Sequence, residues 1–140
     1  MDRVIVERKL DSLQRCLVRV AEKCPQSAEA LVDDVDAQDI VSLNLTRAVQ
    51  LCVDLAAHAL TRRGLPPPET MGAAFSQLAA CGVISEELSL RLRRAVGFRN
   101  IAVHNYDEID WRIVYAIAAL HLDDFRQFAK SIVEAMDQTP

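Results

Sequence analysis

One segment of the chain, residues 97–106, combines three side chains that can do chemistry on a phosphate ester. Arg99 is permanently cationic, and its planar guanidinium can donate two parallel hydrogen bonds to a phosphate. Histidine is the residue type that most readily exchanges a proton near neutral pH, and His104 supplies it here. Tyr106 adds a hydroxyl two residues further along. These residue types predict a site that holds a phosphodiester and moves the proton of an attacking hydroxyl.

The same residues also fit a purely structural role. An arginine and a histidine near a helix end commonly bind free carbonyls or pair with neighbouring acids, here Asp107 and Glu108. On an ideal helix, residues five apart lie about 140° apart around the axis, so Arg99 and His104 face different directions. They converge only if the helix ends or bends between them, or if a second copy of the chain contributes. Spacing alone leaves both interpretations open.

The segment, read as GFRNIAVHNY, resembles the RX4HXY signature of HepT-like proteins. These proteins are the toxin half of HEPN/MNT pairs, where HEPN stands for higher eukaryotes and prokaryotes nucleotide-binding. The resemblance covers nearly the whole chain, from Val4 to Trp111, without a departure at the motif positions. It implies a type VII-like toxin, a metal-independent endoribonuclease without a cofactor. It also implies a homodimer that a partner nucleotidyltransferase, the MNT antitoxin, silences.

The resemblance implies a role for each motif residue. His104 would act as general base on a 2′-hydroxyl, or deliver a proton to the leaving oxygen, while Arg99 stabilises the charged transition state. Such cleavage of RNA needs no metal and leaves a 2′,3′-cyclic phosphate. Asn100 is expected to have a positioning role, either through a hydrogen bond to the phosphate or by holding a bend, and Tyr106 matches the tyrosine that accepts AMP from the partner. A second interpretation stays open, in which a non-catalytic module binds a nucleotide or the nucleotidyltransferase and assists the partner's chemistry.

Composition limits the classes of protein to which this chain can belong. Its 140 residues are 51% hydrophobic and 26% charged, which predicts one globular domain over residues 1–140. No run of apolar residues reaches the roughly 18 expected of a membrane span, and the N-terminus lacks a signal-peptide core. The four cysteines include no C-x-x-C pair. They indicate reduced thiols in a cytoplasmic protein, and neither a disulfide framework nor a zinc site.

Charge is distributed unevenly along the sequence. A net charge of −4 argues against a general nucleic-acid coat protein, which would be basic overall. One group of four arginines stands out, and its simplest role is a solvated helix face near Glu86 and Glu87. Two such groups brought together in a dimer would create a positive field and salt-sensitive RNA binding. The group comprises Arg91, Arg93, Arg94 and Arg99, and a separate acidic turn comprises Asp33, Asp34, Asp36 and Asp39.

Apolar residues recur at helical spacing, without an alternating strand pattern. They predict an all-α, single-domain helical bundle of about five to six helices, as in HEPN-like proteins. Asp36 is predicted to cap the longest helix, and Thr70, Ser85 and Asp110 are predicted to cap later ones, because their side chains accept hydrogen bonds from free backbone amides. The predicted bounds are 2–21, a short helix from about Ser27, 36–63, 71–81, 85 toward 99, and 111–136.

The longest predicted helix has two contrasting faces. One is apolar and is expected in the core, while the other carries Arg47, Asp54 and His58. The simplest role of the polar face is a solvated surface, and His58 is expected there. A sharper interpretation puts Arg47 and Asp54 in the dimer cleft, where they orient the motif. His121, near the C-terminus, is expected to pack in the core. The apolar stripe comprises Leu45, Ala48, Val49, Cys52, Leu55, Ala56 and Ala59.

Overall fold

Helices alone form the fold in the computed structural model, which describes residues 2–138. These residues contain seven α-helices, one 3-10 helix and no β-strand, which confirms the predicted all-α bundle. The predicted count of about five to six helices is too low, because the last predicted helix is two helices, α6 and α7. The predicted domain also includes residues 1, 139 and 140, which lie outside the described residues. The elements are α1 (Asp2–Lys23), α2 (Ala28–Val32), α3 (Val35–Arg62), α4 (Met71–Ala80), α5 (Glu86–His104), the 3-10 helix (Tyr106–Glu108), α6 (Trp111–Leu120) and α7 (Leu122–Gln138).

Helix α3 is the centre of the bundle. It packs against all six other α-helices, and its predicted apolar stripe is buried along its length. By length and composition alone, α3 could cross a membrane, but 56% of its most apolar window is buried, and a core helix passes the same test. Beside it, Phe75 of α4 and Phe128 of α7 meet edge to face with ring centroids 5.6 Å apart. The packing on several sides assigns α3 to the core.

The helix starts follow local capping chemistry, with one exception to the prediction. Thr70, Ser85 and Asp110 each accept a hydrogen bond from a backbone amide at the start of α4, α5 and α6, as predicted. The predicted cap at Asp36 is wrong, because Asp34 caps α3 and accepts from a backbone amide at 3.0 Å. Asp34 has the extended backbone that a cap requires, whereas Asp36 already lies in the first turn.

The last predicted helix, 111–136, is interrupted at His121. His121 is exposed, so its predicted place in the core is wrong. Its Nδ1 lies 3.7 Å from the carboxylate of Asp124, which also accepts a 2.9 Å hydrogen bond from Arg91. The interruption lets α6 pack against α2 while α7 packs against α3 and α5. Apolar residues keep helical spacing across this break, and periodicity therefore does not reveal it.

Candidate active site at the end of helix α5

Helix α5 carries the motif from the core to the surface. Its first half is held by buried apolar side chains, Leu92 among them. The helix then continues through Arg99 to His104, and Asn105 ends it. It is longer than predicted because neither glycine nor proline interrupts residues 98–104. The helix therefore does not end between Arg99 and His104, and the two side chains leave it about 140° apart.

Arg99 lies where α5 leaves the core, and it is half-buried. Its Nη1 donates a 3.3 Å hydrogen bond to Oδ1 of Asn100, whose side chain is exposed. The Nε atom of Arg99 is buried without a hydrogen-bond partner among residues 2–138. A buried donor without an acceptor costs free energy, and an outside acceptor reaches this atom only if the Arg99 side chain moves. Phosphate oxygens are acceptors of this kind.

His104 is the last residue of α5, and it is exposed. Its imidazole makes no hydrogen bond or ion pair with any other residue in the described range 2–138. The backbone around it is nevertheless regular, because the amide of Asn105 still donates to the carbonyl of Ile101 at 2.8 Å. His104 can therefore exchange a proton with a molecule that approaches from outside the chain.

Tyr106 begins the 3-10 helix just after α5 and contacts α3 through its hydroxyl. The hydroxyl donates a 2.6 Å hydrogen bond to Oδ1 of Asp39 and lies 3.3 Å from Oγ of Ser42. The ring meets Trp111 edge to face, with centroids 5.8 Å apart. These contacts hold the tyrosine in place, yet the residue remains 40% exposed and therefore accessible to a partner molecule.

A shallow recess of about 400 Å³ surrounds Tyr106 between α3 and the end of α5. Burial, together with the hydrogen bond to Asp39, raises the pKa of Tyr106 above that of free tyrosine, so the phenol is neutral at ordinary pH. Sequence spacing assigns Asp39 to a distant acidic turn and does not indicate Ser42 at all. A contact between residues 67 positions apart leaves no trace in local spacing. The recess is lined by Asp39, Ser42, Leu43, Thr46, Ala102, Val103 and Tyr106.

The other two predicted site residues, Arg47 and Asp54, lie on the part of α3 that faces α1. Asp54 accepts a 2.9 Å hydrogen bond from Gln50 and pairs with Lys9 at 3.2 Å, while Arg47 lines a groove. Neither bonds to the motif within one chain, so their role in orienting it stays a prediction. His58, expected on the surface, is half-buried, and its Nε2 has no hydrogen-bond partner among the described residues.

The arginine group that stands out in the sequence is partly neutralised. Arg91 donates to Asp124 at 2.9 Å, and Arg93 lies 3.5 Å from Glu86. Each ion pair reduces the positive field that an RNA strand would meet. Arg93 pairs with Glu86 as its simplest predicted role requires, and the positive field that two arginine groups would create in a dimer stays a prediction.

The fold and the motif together define a class of protein. The chain superposes on a solved structure of a tri-AMPylated HEPN toxin of Shewanella oneidensis in complex with an MNT antitoxin, with a TM-score of 0.86. The two are 35% identical, and the match covers 93% of this chain and 97% of that one. The class is that of the HEPN toxins, as the motif predicts.

Sequence comparison gives the family within this class. Residues 13–132 match the family described as ribonuclease HepT-like. The chain is 36% identical over 124 residues to an mRNA nuclease HepT of Shewanella oneidensis, covering 89% of this chain and 92% of the relative. It is 25% identical over 129 residues to a tRNA nuclease HepT of Aphanizomenon flos-aquae, covering 92% and 88% respectively. The chain belongs to the ribonuclease HepT-like family, which confirms the enzyme class that the motif resemblance implies.

Proposed function

We propose that this chain is the toxin of a toxin–antitoxin pair, an endoribonuclease that cuts RNA without a metal ion or cofactor. The observation that carries the proposal is the arrangement at the end of α5. There, Arg99 is half-buried, its one hydrogen bond among residues 2–138 goes to Asn100, and His104 is exposed. One side chain is suited to bind a phosphate, and the other is suited to exchange a proton. The nucleases HepT named above act on mRNA and tRNA, which supports RNA as the substrate class.

The reaction that suits these residues is attack by a ribose 2′-oxygen on the adjacent phosphorus. The bond from phosphorus to the 5′-oxygen breaks, and the product ends in a 2′,3′-cyclic phosphate. His104 takes the proton of the 2′-hydroxyl or returns one to the leaving 5′-oxygen. Arg99 donates to the phosphate oxygens, whose negative charge grows in the transition state, and Asn100 holds the guanidinium in position. Proton transfer and charge stabilisation thus both come from side chains.

A two-fold dimer would complete this site. Because Arg99 and His104 leave α5 about 140° apart, a single chain does not aim both at one phosphate. Apolar side chains of the motif segment itself are exposed, notably Ile101 and Val103. Exposed apolar residues that cluster beside a polar site are typical of protein interfaces. We therefore propose a homodimer in which the two copies of the motif face one cleft.

The dimer would also give Arg47 and Asp54 a role. At the margin of the cleft they would orient Arg99 and His104 across the interface. A stable interface of this kind buries at least about 1,000 Å² in total. Sedimentation equilibrium at micromolar concentration is expected to give twice the 15.6 kDa mass of one chain. A monomer with full activity would contradict the dimer.

Tyr106 is the proposed residue through which the partner silences the toxin. Its support is the matching motif position and the tri-AMPylated HEPN toxin that was solved with its MNT antitoxin. We propose that a nucleotidyltransferase of the MNT type adds AMP to the Tyr106 hydroxyl. The added group would place negative charge near Arg99 and fill the space that an RNA phosphate needs. Tyr106→Phe is expected to fold and dimerise without gaining the mass of AMP, and an adduct on Tyr115 would contradict the assignment.

Cleavage of RNA by the purified protein tests the proposed activity. In the presence of EDTA, wild type is expected to release fragments with 2′,3′-cyclic phosphate ends, and His104→Ala is expected to release none. His121→Ala, a change at another exposed histidine, is the matched control and should keep full activity. Circular dichroism and dimer mass should not change in either variant. Full cleavage by folded His104→Ala would overturn the catalytic assignment. A wild type that supports AMP transfer but never cuts RNA would favour the non-catalytic module.

We further propose that one domain spans residues 1–140 and that the protein acts in the cytoplasm. The family match over residues 13–132 and the continuous bundle over residues 2–138 support one domain. All four cysteines are free, as expected where thiols stay reduced.

A further inference from the structure

A groove of about 620 Å³ between α1 and α3 contains three arginines that lie outside the motif. Arg15 and Arg19 are one turn apart on α1, and Arg47 lines the groove from α3. Burial raises the pKa of the Cys16 thiol in the groove, while the charges of Arg47 and Arg15 both act to lower it. Two helices therefore bring guanidinium groups that are far apart in the sequence to one concave surface.

These three arginines have no acidic partner. Among residues 2–138, no carboxylate oxygen lies within 4.0 Å of Arg15, Arg19 or Arg47, and Arg15 donates only to the hydroxyl of Ser12 at 3.0 Å. In a chain of net charge −4, three unpaired guanidinium groups on one surface create a local positive potential. Some cations elsewhere in the described chain form ion pairs, as in Lys9–Asp54, Arg91–Asp124, Arg93–Glu86 and Arg112–Glu29, whereas others, such as Arg94 and Arg126, have no acidic partner among residues 2–138 either.

We propose that this arginine groove, defined by Arg15, Arg19 and Arg47, binds the phosphate backbone of single-stranded RNA next to the phosphate that is cut. The inference rests on the proposed ribonuclease function. Leu43 lines both the arginine groove and the recess of Tyr106, so the groove adjoins the recess that contains this motif tyrosine. Four residues of helix rise about 6 Å, so Arg15 and Arg19 can meet different phosphates of an extended strand.

The lining of the arginine groove favours a phosphate backbone over other parts of the nucleic acid. Guanidinium groups bind phosphate oxygens through two parallel hydrogen bonds. None of the described residues that line the groove is aromatic, so the groove lacks a platform on which bases stack. Binding is therefore expected to depend on salt and to depend little on RNA sequence. An acidic surface of a protein partner is the competing occupant.

RNA binding by cleavage-inactive His104→Ala protein tests the proposal. The probe is a fluorescent single strand of about 12 nucleotides, followed by anisotropy. Arg15→Ala and Arg19→Ala, introduced together into the His104→Ala protein, are expected to raise the Kd for the RNA probe about tenfold near physiological salt. The slope of log K against log salt is expected to become shallower by about 1.4, at about 0.7 for each lost phosphate contact. Arg126→Ala removes an exposed arginine on α7 as the matched control, and it should change neither quantity.

Three results would overturn the groove assignment. The first is unchanged RNA affinity and salt slope in the double variant. The second is unchanged RNA affinity with weaker binding of the nucleotidyltransferase, which would assign the groove to the protein partner. The third is loss of the dimer mass, which would assign it to the subunit interface. If the proposed ribonuclease function fails, wild type would still bind the probe through the groove but would not cut it. This result is distinguishable from failure of the groove assignment.

A second and independent observation concerns Asp39. Its Oδ1 lies 2.6 Å from the hydroxyl oxygen of Tyr106, and Ser42 contacts the same hydroxyl at 3.3 Å. A short hydrogen bond from a nucleophile to a carboxylate is the geometry of a general base. The raised pKa of Tyr106, caused first by burial and then by Asp39, keeps the phenol neutral, so its proton must leave when its oxygen attacks.

We infer that Asp39 accepts the phenolic proton when Tyr106 receives AMP, an inference that rests on the proposed modification. The phenolic oxygen attacks the α-phosphorus of ATP, the bond from that phosphorus to the bridging oxygen breaks, and pyrophosphate leaves. The phenolic proton moves to the Asp39 carboxylate, and Ser42 orients the phenolic oxygen. The toxin thus supplies the base for its own modification.

Intact-mass kinetics with the partner nucleotidyltransferase and ATP test the role of Asp39. Asp39→Asn keeps the shape and a hydrogen-bonding oxygen but is a far weaker base, so AMP transfer is expected to slow by about 10²- to 10⁴-fold. Its residual rate should rise with pH more steeply than that of wild type. Asp36→Asn, a neighbouring exposed aspartate on α3, is the matched control and should react at the wild-type rate.

An Asp39→Asn protein that is modified at the wild-type rate, with the wild-type pH profile, would overturn the assignment. Unmodified Asp39→Asn should still cut RNA, because Asp39 plays no part in the proposed cleavage. If wild type itself gains no AMP on Tyr106, the proposed modification fails, and this result is distinguishable from a slow Asp39→Asn variant.

Discussion

Helix α5 consists of a first half, residues 86–98, and a shorter second half, residues 99–104. The two have the same secondary structure but opposite surroundings. In the first half, Leu88, Leu92 and Val96 are at most 6% exposed. In the second half, Ile101 and Val103 are 43% and 49% exposed, although they are just as apolar. The first half is stabilised by the core, whereas the second half extends beyond it and presents the motif. The residues that stabilise this fold are therefore distinct from the residues that form the site.

The largest expected effect is on stability, from Leu92→Ala in the first half of α5. Truncating this buried side chain leaves a cavity, with an expected loss of about 3–5 kcal/mol in the free energy of unfolding. Val103→Ala in the second half should lower stability only by weakening the dimer, so its effect should vary with protein concentration. Urea unfolding at several concentrations measures both. If Val103→Ala lowers the free energy of unfolding equally at every protein concentration, the second half of α5 is stabilised within one chain, as the first half is.

The next effect is on catalysis, at the residue where the two halves meet. Arg99→Lys is expected to lower kcat/KM for RNA by about 10²- to 10³-fold, because an ammonium group does not replace a two-pronged donor in the transition state. Arg94→Lys, at an exposed arginine of the first half, is the control and should remain active. Cleavage kinetics on one RNA substrate measure both variants. Wild-type activity in Arg99→Lys would mean that position 99 supplies only charge.

A smaller effect is expected at Gly97, which is exposed and helical. A Cβ added there would meet no atom within 4 Å in the single chain. Alanine in a helix interior is more stable than glycine by about 1 kcal/mol, so Gly97→Ala is expected to raise Tm by a few degrees. Thermal unfolding followed by circular dichroism measures the change. A lower Tm would show that a second subunit approaches Gly97 closely and that the interface reaches into the first half.

The smallest effect concerns the proton of Tyr106, beyond the end of α5. Burial and the Asp39 hydrogen bond raise its pKa above the ordinary value of 10.0. The neutral phenol therefore contributes stability below the unfolded pKa near 10, and this contribution is lost as pH rises through the higher folded pKa. Ultraviolet titration of tyrosinate should show Tyr106 ionising at lower pH in Asp39→Asn than in wild type. An unchanged titration would mean that burial alone raises the pKa.

The helices and the motif could be predicted from the sequence because their signals are local. The caps Thr70 and Ser85 act on amides three residues away, and the motif from Arg99 to Tyr106 is contiguous. Local signals fail where neighbouring elements compete. At the break at His121 the main packing partner changes from α2 for α6 to α3 for α7, and no local residue pattern marks this change.

The helices, the motif and the family follow from the sequence, because each depends on residues that are near one another along the chain. Which charges meet depends on the tertiary structure. It paired two arginines of the prominent sequence group with acids, and it brought Arg15, Arg19 and Arg47 together without acidic partners in the described chain. It also placed Asp39 against Tyr106, 67 positions away. Electrostatic and hydrogen-bond energies depend on distance in space, which sequence spacing does not record.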